Sequence, residues 1–335
     1  MTPPKCKDED YINFLIATPR QVSATEAARV QPAQEQIPAH DAFTRLLQRL
    51  EPDPETLWHE AQTQVGLERG VLVLDDSTLD KPYAKHMELV TRHWSGKHHA
   101  VVRGINLLTL LWTEGDRHVP CDYRVFEKAK DGLTKNDHFQ QMLGVAHPRG
   151  FQPACVSFDS WYAGLENLKV LRSFHWLWLT RLKATRQVNP DRQGLRPISA
   201  VELGEQGRIV WLEGYGLIRV FKIVATDGDI EYWATNKMEM DSLERVKWAT
   251  FAWTIENYHR GVKPYCLIER AQVRSGRAWR NHITLCLRAF LRLESHCASA
   301  GHRLKTTITC TNLTPADRHC TEDRQYGAQE RQAHI

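Results

Sequence analysis

The 335-residue chain has no Cys-x-x-Cys pair among its eight cysteines, at 6, 121, 155, 266, 286, 297, 310 and 320. Zinc-ribbon and dithiol redox readings therefore have little support. No apolar run approaches the roughly 18 residues of a membrane span. The opening residues also lack the charged-then-apolar pattern of a secretory signal. The expectation is a cytoplasmic protein with free thiols in a reducing compartment and no membrane partner. Nor is there a strong charge imbalance: 44 Lys and Arg against 40 Asp and Glu leave a formal net charge of +4. That value permits nucleic-acid binding without demanding it. Cys310, His319 and Cys320 lie together in a polar tail, at a spacing that matches no common zinc module.

What the chain does contain is acids placed where chemistry is done. Gly70-Val71-Leu72-Val73-Leu74 runs into Asp75-Asp76-Ser77-Thr78, and an unbroken aliphatic run of this length suits a strand buried on both faces. Ala154-Cys155-Val156-Ser157-Phe158 likewise stops at Asp159, and leucines at helical spacing follow from residue 163 to 174. Each Asp alone reads as a helix N-cap or turn former. The third acid differs. In Ile255-Glu256-Asn257-Tyr258-His259-Arg260-Gly261-Val262-Lys263, His259, Arg260 and Lys263 follow Glu256 at i+3, i+4 and i+7 and share its helix face. A solvated salt-bridge ladder explains that helix in isolation. Two strand-borne acids and a helix-borne Glu together make a three-carboxylate set, which suits Mg²⁺ or Mn²⁺ when the ion must keep positions open for water and phosphate.

The sequence Leu-Asp-Asp-Ser-Thr, then Phe-Asp-Ser-Trp-Tyr, then Ile-Glu-Asn-Tyr-His-Arg-Gly-Val-Lys resembles the DDE transposases of bacterial insertion sequences, within the ribonuclease H-like superfamily. The resemblance spans residues 71 to 293. It implies two metal ions, Mg²⁺ or Mn²⁺, held by Asp75 or Asp76, Asp159 and Glu256. The family's Asp-x-Ser/Thr pattern favours Asp75, and Asp76-Ser77-Thr78 fits as well. It implies that Lys263 and Arg260, with His259 as a weaker candidate, contact DNA phosphate, and that Ser77 and Thr78 orient the ligand Asp. Many members carry a Tyr and an Arg seven and four residues before the Glu; Ala249 and Ala252 stand there in this chain. The implied partners are the transposon's terminal inverted repeats and target DNA, engaged by a homodimer assembled on DNA in the bacterial nucleoid. Two rival readings are a transposase-derived DNA-binding protein without catalysis and a metal-free glycosidase using two of the acids.

The expected fold is α/β: a ribonuclease H-like mixed sheet flanked by helices, with a β-rich insertion and a small N-terminal helical region. Residues 1–66 would form that helical region and engage DNA ends, though residues 1–20, polar and Pro-bearing, read as frayed. A Ser23 cap starts one helix, a second runs from His40 to Leu50, and a third covers residues 54–65. Residues 67–300 would form the catalytic domain. Its strands include residues 88–94 and 101–112, joined across Ser95-Gly96-Lys97, and residues 176–182. Residues 116–135 read as a polar connection and 137–146 as a helix. The insertion, at about 184–238, alternates in strand fashion, with Trp211 and Trp233 as candidate stacking platforms for bases. Residues 301–335 read as a disordered tail. Between Arg270 and Lys305, eight cations stand against the single acid Glu294, a pattern that reads as a phosphate-tracking surface.

Overall fold

The computed structural model describes residues 4–18, 22–31, 37–95, 100–204, 206–225 and 228–299. In chain order its main elements are α1 (Asp8–Ala17), α2 (Ala24–Arg29), α3 (His40–Arg49), α4 (Pro54–Ala61), β1 (Val71–Asp80), β2 (Thr91–Ser95), β3 (Ala100–Thr113) and β4 (Val119–Phe126). Then come α5 (Lys128–Asp131), α6 (Lys135–Ala146), β5 (Cys155–Phe158), α7 (Leu165–Ser173), β6 (Trp178–Leu182), β7 (Gln187–Val188) and β8 (Arg196–Pro197). The chain continues through β9 (Arg208–Leu212), β10 (Gly216–Val224), β11 (Ile230–Thr235), α8 (Ser242–Ala252), α9 (Thr254–Tyr265) and α10 (Gly276–Ser299). Two compact units result: one from Met1–Asp53, Lys85–Glu88 and Arg260–Ile335, the other from Pro54–Ala84 and Leu89–His259.

The second unit is organised by a mixed sheet of nine strands in the order β2-β3-β1-β5-β6-β11-β10-β9, with β4 also paired to β3. β1 is its pivot. It runs antiparallel to β3 over its full length, Val71 against Thr113 through Asp80 against Gly104. On its other edge it runs parallel to β5 only from Val71 to Leu74, which faces Phe158. The acids therefore do not end β1, as the aliphatic run suggests; the strand continues to Asp80. They begin where its parallel neighbour stops, which puts Asp75 and Asp159 at equivalent positions just beyond the last paired residues. β3 and β4, with Leu107, Leu108, Leu110, Leu111, Trp112, Val119 and Tyr123 buried, supply much of the core.

Residues 116–135 are not a polar connection. They contain β4, paired to β3 from Asn106–Phe126 to Trp112–Val119. The buried Asp122, paired with Arg124, disguises this strand as loop. The alternating segments near residues 208–235 are β9, β10 and β11, and they extend the same sheet through β6.

The first unit is helical. Residues 8–17 are not frayed: α1 buries Tyr11, Ile12, Phe14 and Leu15, and it packs on α10. Its partners come from far along the chain, which is why local composition misses them. Arg288 of α10 pairs with Asp8 at 2.6 Å, Arg292 pairs with Glu9, and the Tyr11 hydroxyl lies 3.1 Å from His282 Nδ1. Arg277 pairs with Glu51. Three cations of the expected phosphate-tracking ladder are thus paired with acids of the N-terminal segment, while Arg270 and Arg274 remain exposed. The Glu88 carboxylate accepts from the backbone N–H of Gly276 at 2.6 Å, which places a negative charge on the N-terminus of the long α10, where the helix dipole favours it. As expected, Ser23 caps α2 by accepting from the Glu26 N–H at 3.2 Å.

Cys155 and Cys286 are buried free thiols, as their apolar contexts suggest. No helix among the described residues is long and apolar enough to cross a membrane. Gly96 and Lys97 of the expected β2–β3 turn, Arg303 and Lys305, the Cys310–Cys320 cluster and the whole expected tail lie outside the described residues.

Candidate active site

Successive side chains of a strand point to opposite faces, and this alternation separates the two acids of β1. Asp76 lies among donors. It accepts hydrogen bonds from Asn106 Nδ2, Lys135 Nζ and the Tyr162 hydroxyl, each at 2.7 Å. Burial pushes its carboxyl up, but the Lys135 charge and the bonds from Asn106, Lys135 and Tyr162 outweigh it, so the carboxyl sits below the usual carboxylate value. Lys135 reaches this position because it opens α6, whose start is fixed by the Thr134–Asp137 capping box. Tyr162 follows Asp159 in the short 3₁₀ turn of residues 160–162.

Asp75 meets other acids instead. Its carboxyl is pushed well above the usual value by burial, then by the charges of Asp76, Asp159 and Glu256. Glu256 lies in the first turn of α9, where a carboxylate also complements the helix dipole. One ligand atom each of Asp75, Glu256 and His259 lie within 4.8 Å of one another. A helix and a strand distant in sequence thus bring two carboxylate oxygens and an imidazole nitrogen together.

Asp159 is not a member of that three-residue set, although its charge bears on Asp75. It caps the 160–162 turn by accepting from the Ser160 N–H at 2.6 Å, and it lies 3.3 Å from the Arg181 guanidinium. Arg181 also pairs with Glu231 at 2.8 Å. The pairs with Glu231 and Asp159 outweigh burial and hold the guanidinium firmly charged.

Of the candidate phosphate contacts, Arg260 is exposed and Lys263 lies 2.9 Å from Glu269. His259, only 7% exposed, sits with the acids. Trp211 is 49% exposed on β9, while the Trp233 indole N–H donates to Glu231 at 2.8 Å and its ring faces Arg181. Trp161, beside Asp159 in the chain, is also exposed and lies under Lys183.

Nothing in the local sequence marks Asn106, Lys135, Tyr162 and Arg181 as site residues. Tyr162 belongs to the Phe-Asp-Ser-Trp-Tyr motif, and Lys135 lies inside a Thr-x-x-Asp cap signature, directly after Thr134. Neither pattern reveals that both converge on Asp76.

The donor set fits a hard divalent cation. Carboxylate oxygens predominate, and the acids around Asp75 carry negative charge that a cation would relieve.

No curated protein matches the chain. Among solved structures, a cryo-EM structure of the piggyBac transposase synaptic complex with hairpin DNA is similar, at TM-score 0.50 and 11% identity, with 95% of this chain and 77% of that one covered. At that identity the likeness speaks for the fold, and the mixed sheet flanked by helices agrees with a ribonuclease H-like transposase fold. The sequence profile of one family, described as DDE superfamily endonuclease, matches residues 10–216, a stretch that includes Asp75, Asp76 and Asp159. With most of its length matched, the chain belongs to the DDE superfamily endonucleases.

Proposed function

We propose that this endonuclease is a transposase that cuts and joins DNA at the ends of a bacterial insertion sequence by metal-dependent phosphoryl transfer. The observation that carries the reading is the meeting of Asp75 and Glu256, with His259, within 4.8 Å in a chain of this family. A bound pair of Mg²⁺ or Mn²⁺ ions would activate a water or 3′-hydroxyl and neutralise charge on the leaving oxygen. Asp75 and Glu256 would hold one ion. Asp159 would contribute once Arg181 yields part of its contact.

The remaining residues have separate tasks. Asp76, fixed by Asn106, Lys135 and Tyr162, anchors β1 and so aims Asp75. Lys135 keeps Asp76 ionised, and Asp76 in turn favours the protonated form of Asp75 until a cation replaces that proton. Exposed Arg260 would contact phosphate, and Lys263 would do so by exchanging Glu269. The helical unit, with Arg270 and Arg274 exposed, would engage the terminal inverted repeats. Duplex DNA is the substrate class, and a homodimer on DNA would pair the two ends.

The test is cleavage of a DNA carrying the flanking repeats of the gene. Asp75→Asn, Asp159→Asn and Glu256→Gln should each abolish Mg²⁺- or Mn²⁺-dependent strand cleavage while leaving DNA binding close to that of the wild type. Cleavage at the wild-type rate in any of the three would remove that acid from the site. Wild-type protein that binds the repeats and never cleaves would instead favour a transposase-derived binding protein.

A further inference from the structure

We propose that His259 is a ligand of the ion held by Asp75 and Glu256, making this half of the site a mixed nitrogen and oxygen site selective for Mn²⁺ over Mg²⁺. The inference rests on the metal-dependent reading above and goes beyond it, because a nitrogen ligand adds to the Mn²⁺ preference that carboxylates alone provide. Three observations support it. A ring nitrogen of His259 lies within 4.8 Å of a carboxylate oxygen of both Asp75 and Glu256. An ion bonded to two atoms at about 2.1 Å each spans at most about 4.2 Å, so sub-ångström side-chain shifts close the set.

The second observation is burial. His259 is only 7% exposed, too enclosed to reach out to a DNA phosphate as its sequence position suggests, whereas Arg260, the next residue, is exposed. The third is the element itself. Glu256 and His259 are three positions apart on α9, so both project from one helix face, and the helix turn holds their relative positions without help from loops. The strand-borne Asp75 completes a facing triangle.

Selectivity follows from ligand chemistry. Mg²⁺ prefers oxygen ligands and sheds water reluctantly. Carboxylate and water suit Mg²⁺ and Mn²⁺ alike, whereas imidazole suits first-row transition ions, the class to which Mn²⁺ belongs and Mg²⁺ does not. His259 therefore contributes more to Mn²⁺ than to Mg²⁺.

The experiment is pulsed electron paramagnetic resonance of Mn²⁺ bound to the purified full chain. The wild type should show ¹⁴N modulation from a directly coordinated imidazole, and the modulation should change to the ¹⁵N pattern when the histidines are ¹⁵N-labelled. Removing even an outer partner of a metal ligand costs about 10–100-fold in affinity. His259→Gln should accordingly weaken Mn²⁺ binding at least about tenfold, weaken Mg²⁺ binding less, and abolish the nitrogen signal. The labelled wild-type spectrum needs no variant, so a folding defect in His259→Gln does not spoil the test. Mn²⁺ bound with no nitrogen coupling, and released by Glu256→Gln, would overturn the assignment of His259 and leave the metal-dependent reading intact. A wild type that binds neither ion would overturn both.

Discussion

Asp75 and Asp76 are neighbours in β1 whose carboxyls lie in opposite electrostatic surroundings. Asp76 accepts from Lys135, Asn106 and Tyr162, while Asp75 faces the charges of Asp76, Asp159 and Glu256. One residue of register separates an anchor from a candidate ligand, and a one-residue slip would exchange their faces.

Their substitutions should part accordingly. Asp75→Asn removes a carboxylate crowded by other acids, so it should abolish cleavage while leaving the chemical denaturation midpoint unchanged or raised. Asp76→Asn strips a largely buried lysine of its counter-charge and should destabilise the fold by about 1–3 kcal/mol, with cleavage lost as β1 shifts. Equal stability of the two variants would contradict the division of roles.

The same pair sets a pH dependence with two limbs. Asp75, raised in the fold, contributes stability that is complete below its unfolded value of about 3.9 and is lost as pH rises through its folded value. Asp76, lowered in the fold, contributes stability present above about pH 3.9 and lost as pH falls through its folded value. A cation competes with the Asp75 proton, so the rise in melting temperature produced by Mn²⁺ should grow as pH increases. Thermal melts with and without Mn²⁺ across pH would show this. A metal effect independent of pH in the wild type, or one with the same pH slope in Asp75→Asn, would contradict it.

The N-terminal helix offers a separate check. Arg288→Met removes the 2.6 Å pair with Asp8 from a position where Arg288 is buried. Amide hydrogen exchange in α1 should rise strongly, with exchange in β1 and β3 unchanged. Unchanged protection in α1 would show that its apolar face alone docks it.

Much of this was legible in the sequence, and the boundary has physical causes. The strands around Asp75 and Asp159 and the helix of Glu256 were readable because aliphatic runs and helical spacing are local signals. Strand β4 was not, since a buried Asp122 paired to Arg124 looks like loop. Helix α1 was not, since its stabilising partners Arg288, Arg292 and His282 lie more than 270 positions away. The difference between Asp75 and Asp76 was not legible either, because it depends on which residues face each side of one sheet. His259 read as a cation for DNA for the same reason: spacing gives the helix face and says nothing of what covers it.

For DNA contact, Arg260→Ala should flatten the dependence of binding on salt by roughly 0.9 in log–log slope, the share of one phosphate. Lys263 is held by Glu269 at 2.9 Å. If it exchanges that partner for phosphate, Glu269→Gln should strengthen binding and Lys263→Ala should weaken it. Slopes identical to the wild type in Arg260→Ala and Lys263→Ala would remove both residues from the interface.

The most direct test of the central claim is an anomalous difference map from crystals of the full chain soaked in Mn²⁺. The expected result is a Mn²⁺ peak about 2.1–2.3 Å from one carboxylate oxygen each of Asp75 and Glu256, absent in crystals of Glu256→Gln. A Mn²⁺ peak bound elsewhere, with Asp75 and Glu256 making no metal contact in a protein that still cleaves DNA, would contradict it.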